Sequence, residues 1–517
     1  MTTTEQHTID SINFTTNDTT ISDLLTRQHE ISDLQALDAL ASWDQQTAMP
    51  TGASEVRMHQ VATLQGLIHE RATAPEIGSL LEQLADKVQV APFTDADRGL
   101  YEKVKRDYDM STKLPRELVE EMARVSSASV DAWVKARATS NFALFSPWLK
   151  RTVDLQREVA DRFGYQENRY DALLNIYEPG LTVRKVEQLF EPVRAVSTTL
   201  LRRIQESGKQ ISTACLEQSF PVEKQMELSE KALRTIGYDF ERGQLARSAH
   251  PFTTSFGAPS DVRLTVRCDE HFLQMSLMAA LHEGGHGLYE QGCSPSLVRT
   301  LLANGASLGA HESQSRLWEN AIGRTIPFWQ GKFHILKEVF PEQFEHVDVE
   351  TFVRALNKVE PSLIRVEADE VTYNLHILIR FELEKALVNG ELSVDELPAA
   401  WNAKYREYLN IEPANDAEGV LQDVHWTGGF GYFPTYTLGN LYGAQILHSL
   451  QSTFPDFETR LASGDTDFVL NWLRERMHVF GAIYLPEKLI ERVTGETPDP
   501  QYFVRYLTNK FEQIYGL

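Results

Sequence analysis

The sequence predicts a mainly α fold, a large helical body with one small β element. Three observations predict it. Apolar residues recur at steps of three and four along most of the chain. Pro and Gly cluster at short breaks, "AMPTGAS", "YEPGLT", "FGAPSD", "VEPS" and "NIEPAND", which cut that pattern into helix-sized pieces. The best alternating stretch is "DVRLTVRC" (Asp261 to Cys268), where Val262, Leu264 and Val266 alternate with polar partners as in a half-buried strand.

In chain order, residues 1–20 are polar and read as a disordered N-terminus. "ISDLLTRQHEISDLQALDALASWDQQ" is the first helix, "DLQREVADRFGYQ" and "TVRKVEQLFEPVRAVSTTLLRRIQES" are further ones, and "DFVLNWLRERMHVFGAIYL" is a late one. "HPFTTSF" (His250 to Phe256) lies just ahead of the strand and makes a short hairpin or edge strand with it. There is no internal repeat, low-complexity tract or long linker, so residues 21–517 read as a single helical domain in two lobes.

The bulk chemistry excludes several functions. Acidic residues outnumber basic ones, 73 to 50, and a net charge of −23 disfavours nucleic acid and anionic membranes as partners. Cys215, Cys268 and Cys293 are too few and too scattered for a disulfide framework or a thiolate zinc site. The start lacks the apolar core of a signal peptide, and no run of about 18 apolar residues marks a transmembrane helix. The expectation is a cytoplasmic protein. A P-loop, a dinucleotide-binding glycine motif and a serine nucleophile elbow are all missing from the sequence.

What remains is "SLMAALHEGGHGLYEQG", with His282, Glu283 and His286 in the spacing H-E-x-x-H. Residues four apart share a helix face, so the two imidazoles can point at one metal ion. Such a metal lowers the pKa of water towards neutrality, and Glu283 is placed to take its proton during attack on a carbonyl. The five-residue pattern also arises by chance in helical proteins. Gly284 and Gly285 sharpen it: each costs about 1 kcal/mol against Ala inside a helix, which makes sense where the helix surface must come close to something.

A catalytic site of this kind takes one more protein ligand and leaves a position open. Downstream, "NGASLGAHESQSRLWENAIG" opens a second helical pattern. Glu312 completes a two-His, one-Glu set. Glu290, on the same helix as the histidines, would have to fold back and suits a supporting role better. His311 is a further candidate.

The blocks "HPF" (His250 to Phe252), "DVRLT" (Asp261 to Thr265), "HEGGH" (His282 to His286), "HESQS" (His311 to Ser315), "IRVEAD" (Ile364 to Asp369) and "GVLQDVHW" (Gly419 to Trp426) together resemble the thermostable carboxypeptidase Taq family of metallocarboxypeptidases. "WDQQTAMP" and "YEPG" add to the likeness, which runs from about residue 20 to the end. The resemblance implies a helical, saddle-like molecule with a deep groove between its lobes, usually a homodimer. It implies zinc or cobalt dependence and stepwise removal of C-terminal residues with broad specificity. It carries the metal to His282, His286 and Glu312 and the general base to Glu283. One departure is visible: where the family tends to have an Asp in "G-x-L-D", this chain has Ala246.

A carboxypeptidase must hold a free α-carboxylate, and arginine suits this with a planar pair of donors. Arg365, read at a helix start after Pro361, is the first candidate, against an internal ion pair with Glu367 or Asp369. Arg263 reads as a brace paired with Asp261 or Asp369. His425 is placed to donate to the carbonyl oxygen as charge develops, with Tyr432 and Tyr436 as rivals for that role or as substrate contacts. Gln422 and Asp423 read as orienting groups, Asp423 for a ligand imidazole. His250 lines the groove or caps a turn. The competing functions are a related H-E-x-x-H enzyme that releases dipeptides or cuts internally, and a helical scaffold with a non-catalytic metal site.

Overall fold

The structure is a computed structural model and describes residues 12–90 and 92–517. It comprises two compact units, each assembled from separate stretches of chain: Met1–Thr112, Thr213–Leu356 and Ile446–Thr497 in the first, Lys113–Ser212, Asn357–Gln445 and Pro498–Leu517 in the second.

In the first unit the opening helix, Thr19–Thr47, is capped by Asp18, whose carboxylate accepts from the Thr20 and Ile21 amides. Just upstream, Thr15 donates its backbone N–H (3.0 Å) and its hydroxyl (2.6 Å) to the fully buried Asp97. Residues 1–11 of the expected disordered N-terminus lie outside the described residues. Residues 12–20 correct that expectation, because Asp97 and the cap satisfy their backbone and fix their path.

The three strands of the small sheet are β1 (Gly243–Arg247), β2 (Thr253–Ser255) and β3 (Val262–Val266), in the order β1-β3-β2. β2 runs antiparallel to β3, pairing Thr253 with Leu264, as the sequence led one to expect. β1 is parallel to β3 and was not anticipated. Its side chains are half-buried or exposed, so it carries no apolar alternation. On β3, Val262, Leu264 and Val266 have no exposure.

The sheet and the helix Val222–Thr235 both pack on the helix Leu273–Gly292, which carries the two histidines. That helix is buried on most of its surface, which is why its apolar pattern lacks a clean polar face. The glycine pair permits the packing. A Cβ on Gly284 would stand 2.6 Å from Leu233 Cδ2, and one on Gly285 would stand 2.4 Å from the backbone oxygen of Gln314. Gly285 therefore lets the helix Leu308–Arg316, the bearer of Glu312, press its backbone against the histidine helix. The late helical pattern is broken: Asp467–Arg476 is helix, His478–Phe480 is a single 3₁₀ turn, and Gly481 at φ +49° turns the chain out.

In the second unit the helix Tyr373–Asn389 is buried on nearly all sides, Arg380 and Glu384 included. "PSLIRVEAD" is not a helix start. Arg365–Glu367 forms one 3₁₀ turn, and the helix begins only at Tyr373. Asp369 explains the delay. Its carboxylate takes the amides of Glu360, Val371 and Thr372, which would otherwise seek helical partners.

Candidate metal centre

His282, His286 and Glu312 converge in the first unit, one ligand atom from each lying within 4.8 Å of the others. Both Nε2 atoms stand 3.6 Å from Glu312 Oε2. Donors about 2.0–2.2 Å from a shared tetrahedral metal stand roughly 3.3–3.6 Å apart, so the spacing fits one ion. The i, i+4 spacing supplies the two imidazoles and the close contact at Gly285 supplies the carboxylate. Glu312 Oε1 accepts from Arg316 Nε at 2.6 Å, and Oε2 accepts from the Ser315 hydroxyl at 3.1 Å. Burial opposes ionisation of Glu312, but the Arg316 charge and the two imidazoles outweigh it and hold the carboxyl far below its usual range. Burial favours the neutral ring at His286, the form that ligates metal.

The supporting groups differ for the two histidines. His282 Nδ1 is 2.9 Å from Glu319 Oε2. Glu319 sits on a π-helical turn, Leu317–Ile322, that continues the Glu312 helix, and it also meets Arg316 at 3.3 Å and Arg324 at 3.2 Å. Burial raises the Glu319 pKa, but Arg316 and His282 more than compensate and bring it down to about 2. His286 Nδ1 faces His311 Nδ1 at 3.1 Å, and His311 Nε2 meets Glu290 Oε1 at 2.6 Å. Glu290 thus binds His311 rather than turning back as a ligand. Glu283, one residue round the helix from His282, accepts the Thr253 hydroxyl on Oε2 at 2.6 Å.

The other predicted residues fall as follows. Arg263 pairs with Asp261 through two contacts of 2.8 Å, not with Asp369, and lies over the Phe256 ring. His250 is exposed, its Nδ1 2.9 Å from the Pro251 carbonyl in its own turn. In the second unit Arg365 is buried, and it pairs with neither Glu367 nor Asp369. It donates to Asp423 Oδ1 at 2.9 and 3.2 Å and to the Tyr373 hydroxyl at 3.2 Å. Arg380 takes the opposite oxygen of Asp423 at 2.6 Å. Asp423 therefore sits between two guanidiniums, which overcome its burial and hold it strongly ionised. Asp423 thus orients neighbours, Arg365 and Arg380, and no imidazole of the candidate ligand set; at His282 the carboxylate is that of Glu319. Gln422 Oε1 accepts from the Arg365 amide and from Arg380, and its amide nitrogen donates to Leu363 O and the Tyr405 hydroxyl. Half-buried His425, Tyr432 and Tyr436 form an aromatic group, with His425 5.5 Å from Tyr432 and 6.5 Å from Tyr436 between ring centroids.

Residues 23–511 match the family described as carboxypeptidase Taq (M32) metallopeptidase. The chain belongs to the carboxypeptidase Taq family. It is 44% identical to thermostable carboxypeptidase 1 of Thermus thermophilus over 95% of this chain and 98% of that protein. It is 40% identical to carboxypeptidase 1 of Bacillus subtilis over 96% and 98%. The crystal structure of an M32 carboxypeptidase from Deinococcus radiodurans superposes with a TM-score of 0.93 at 37% identity, covering 97% of this chain and all of that one. The protein is thus a metallocarboxypeptidase, and the scaffold reading falls.

A metallopeptidase of the Taq family implies a divalent metal, and the donor set here fits one. Two imidazoles and a carboxylate are a catalytic zinc set that leaves a position open. Glu283, Glu290, Glu312 and Glu319 against Arg316 and Arg324 leave a formal charge of −2, which a divalent cation balances. Sequence reasoning missed Arg316, Glu319, Thr253 and Arg380. Two of these left a readable signal. Arg316 is four residues after Glu312, the spacing of a helical ion pair. Arg380 and Glu384 interrupt the apolar run "HILIRFELE", where an unpaired charge would be costly.

Proposed function

We propose that the chain is a zinc carboxypeptidase, Co²⁺ serving as an alternative, which removes single C-terminal residues from peptides with broad side-chain tolerance. One observation carries this reading: His282, His286 and Glu312 converge at metal-binding distances with the Glu283 carboxylate next in sequence, held by Thr253. A metal held by those three residues would supply a Lewis acid for the scissile carbonyl and for water. Glu283 takes the proton of the attacking water and returns it to the leaving amine. The Thr253 hydroxyl occupies one oxygen of that carboxylate and orients the other. Arg316 keeps Glu312 anionic, and Glu319 fixes the ring of His282.

The proposal extends to His425 and Tyr436 as donors to the carbonyl oxygen and to Tyr432 as a substrate contact, since these three side chains retain exposure. Arg365 is assigned a bracing role with Gln422 and Asp423, because it is only 4% exposed and Asp423 and Tyr373 already engage its donors. Asp369 and Arg263 brace their own loops, and His250 its own turn. A homodimer and a cytoplasmic location complete the proposal. The homodimer rests on the family resemblance, and the location on the net charge of −23, which disfavours anionic membranes as partners.

The test is hydrolysis of an N-blocked peptide followed product by product in mass spectrometry, with added Zn²⁺ or Co²⁺, with chelator, and with Glu283→Gln. Single C-terminal residues should appear. Chelator should abolish their release, and the substitution should slow it by about 10²–10⁴-fold. Release of dipeptides or internal fragments would overturn the single-residue reading.

A further inference from the structure

We infer that Glu290, acting through His311, is a positioning residue that sets the tautomer of His286 and so turns its Nε2 lone pair towards the metal position. The inference rests on the metal-centre reading above and goes one step further out from it. His282 has a carboxylate directly at its Nδ1, which can only accept and therefore dictates an Nδ1–H. His286 has an imidazole there instead, 3.1 Å away, nitrogen to nitrogen. Two neutral imidazoles in contact do not choose between themselves, because either nitrogen can be the donor. If His311 held its proton on Nδ1, His286 would accept it, and the proton of His286 would sit on Nε2, blocking the metal side.

Glu290 removes that freedom. Its Oε1 lies 2.6 Å from His311 Nε2, and a carboxylate accepts only, so the proton of His311 belongs on Nε2. His311 Nδ1 is then an acceptor, His286 Nδ1 carries the proton, and His286 Nε2 is bare where it faces Glu312 Oε2 at 3.6 Å. The far end is anchored as well. Glu290 is 5% exposed, and its second oxygen accepts the Ser255 hydroxyl at 3.1 Å. The His311 ring is held against Tyr289, centroids 5.0 Å apart. Thr253 and Ser255, alternate residues of β2, thus present hydroxyls to two carboxylates two turns apart on the histidine helix, Glu283 and Glu290.

The test measures metal affinity as well as rate. Zn²⁺ dissociation constants are obtained by competition with a chromophoric chelator, Co²⁺ binding is followed by its visible absorption, and kcat and KM are taken at saturating metal. The variants are Glu290→Met, Glu290→Gln, His311→Phe and, as a control, His286→Ala. His311→Phe keeps an aromatic ring but offers no acceptor, and Glu290→Met keeps length but removes the acceptor. Each should weaken Zn²⁺ binding about 10–100-fold and alter the Co²⁺ spectrum. Glu290→Gln still accepts from His311 through its amide oxygen, so it should stay within about threefold of the parent, a rescue that loss of packing alone would not produce. If Glu290→Met binds Zn²⁺ like the parent while His286→Ala does not, the inference is overturned and the metal centre stands. If His286→Ala also binds like the parent, the metal-centre reading fails and takes the inference with it. Should His311→Phe not fold, the Glu290 pair decides alone.

Discussion

At the residue scale the proposed general base, Glu283, is held by the Thr253 hydroxyl. Glu283 is 6% exposed, and its Oε2 accepts from Thr253 at 2.6 Å. Without such a partner the carboxylate would turn about its terminal torsion, which is broad rather than held in a sharp well. Thr253→Val keeps the branched shape suited to β2 and removes only the donor. One hydrogen bond to a charged group contributes about 1.5–3 kcal/mol, of which orientation is a part, so kcat should fall roughly 3–30-fold with KM little changed. Equal kcat in a steady-state comparison of the two proteins would show that Thr253 does not orient the base. Thr253 also illustrates what sequence reading can and cannot reach. His282, Glu283, His286 and Glu312 were legible because chemistry and helical spacing single them out. A threonine 30 positions upstream carries no spacing signal toward Glu283, because strand-to-helix contacts are fixed by tertiary packing.

At the element scale, the glycine pair was legible as an anomaly, and its cause became visible only with the neighbouring helix in place. Gly285 meets backbone, at the Gln314 carbonyl, so an added methyl cannot be absorbed by a rotamer change. Gly285→Ala gains helix propensity of about 1 kcal/mol yet must push the Glu312 helix away, and overpacking typically costs about 1–3 kcal/mol. The expected result is lower stability in urea together with weaker metal binding, because Glu312 moves with its helix. Unchanged affinity would mean that the added methyl does not displace the Glu312 helix. In the second unit Glu384 ties elements together in a comparable way. It accepts from the Tyr170 hydroxyl, the Trp426 indole N–H and the Gly431 amide, pinning the glycine-rich loop ahead of Tyr432. Burial pushes its pKa up to about 7, with these three bonds opposing the shift. A raised carboxyl pKa means that the folded state binds the proton more tightly than the unfolded state between about 4.5 and 7. Stability from this group is therefore fully present below about pH 4.5 and declines as pH rises to about 7, by about 3 kcal/mol. Glu384→Gln abolishes that slope, so the urea stability of the parent relative to the variant should fall by this amount from pH 4.5 to 7. A flat difference would show the carboxyl ionised throughout, its three donors outweighing burial.

At the scale of the whole molecule, the helical class was legible because apolar periodicity is a local property of the chain. Two lobes were expected, but which residues form each unit was not legible, because each unit draws them from three separated stretches. That division has a thermodynamic consequence. Every candidate ligand and supporting carboxylate of the metal centre lies in Thr213–Leu356, inside the first unit. In the absence of metal, Glu283, Glu290, Glu312 and Glu319 against Arg316 and Arg324 leave a formal charge of −2 there, which a divalent cation balances. Metal binds the folded ligand set and not the unfolded chain, so it stabilises by RT ln(1 + [M]/Kd), about 2.7 kcal/mol at a hundredfold excess over Kd. For a unit of this size that is a rise of roughly 4 °C in the midpoint of melting. Scanning calorimetry of chelator-treated protein, with and without Zn²⁺, should therefore show one transition that moves with metal and one that belongs to the second unit and stays. His286→Ala should melt at the metal-free position whatever the Zn²⁺ concentration. If both transitions shift together, the units unfold as one cooperative block, and metal stabilises the second unit through the first. If neither shifts, the converging His282, His286 and Glu312 do not hold a metal in solution.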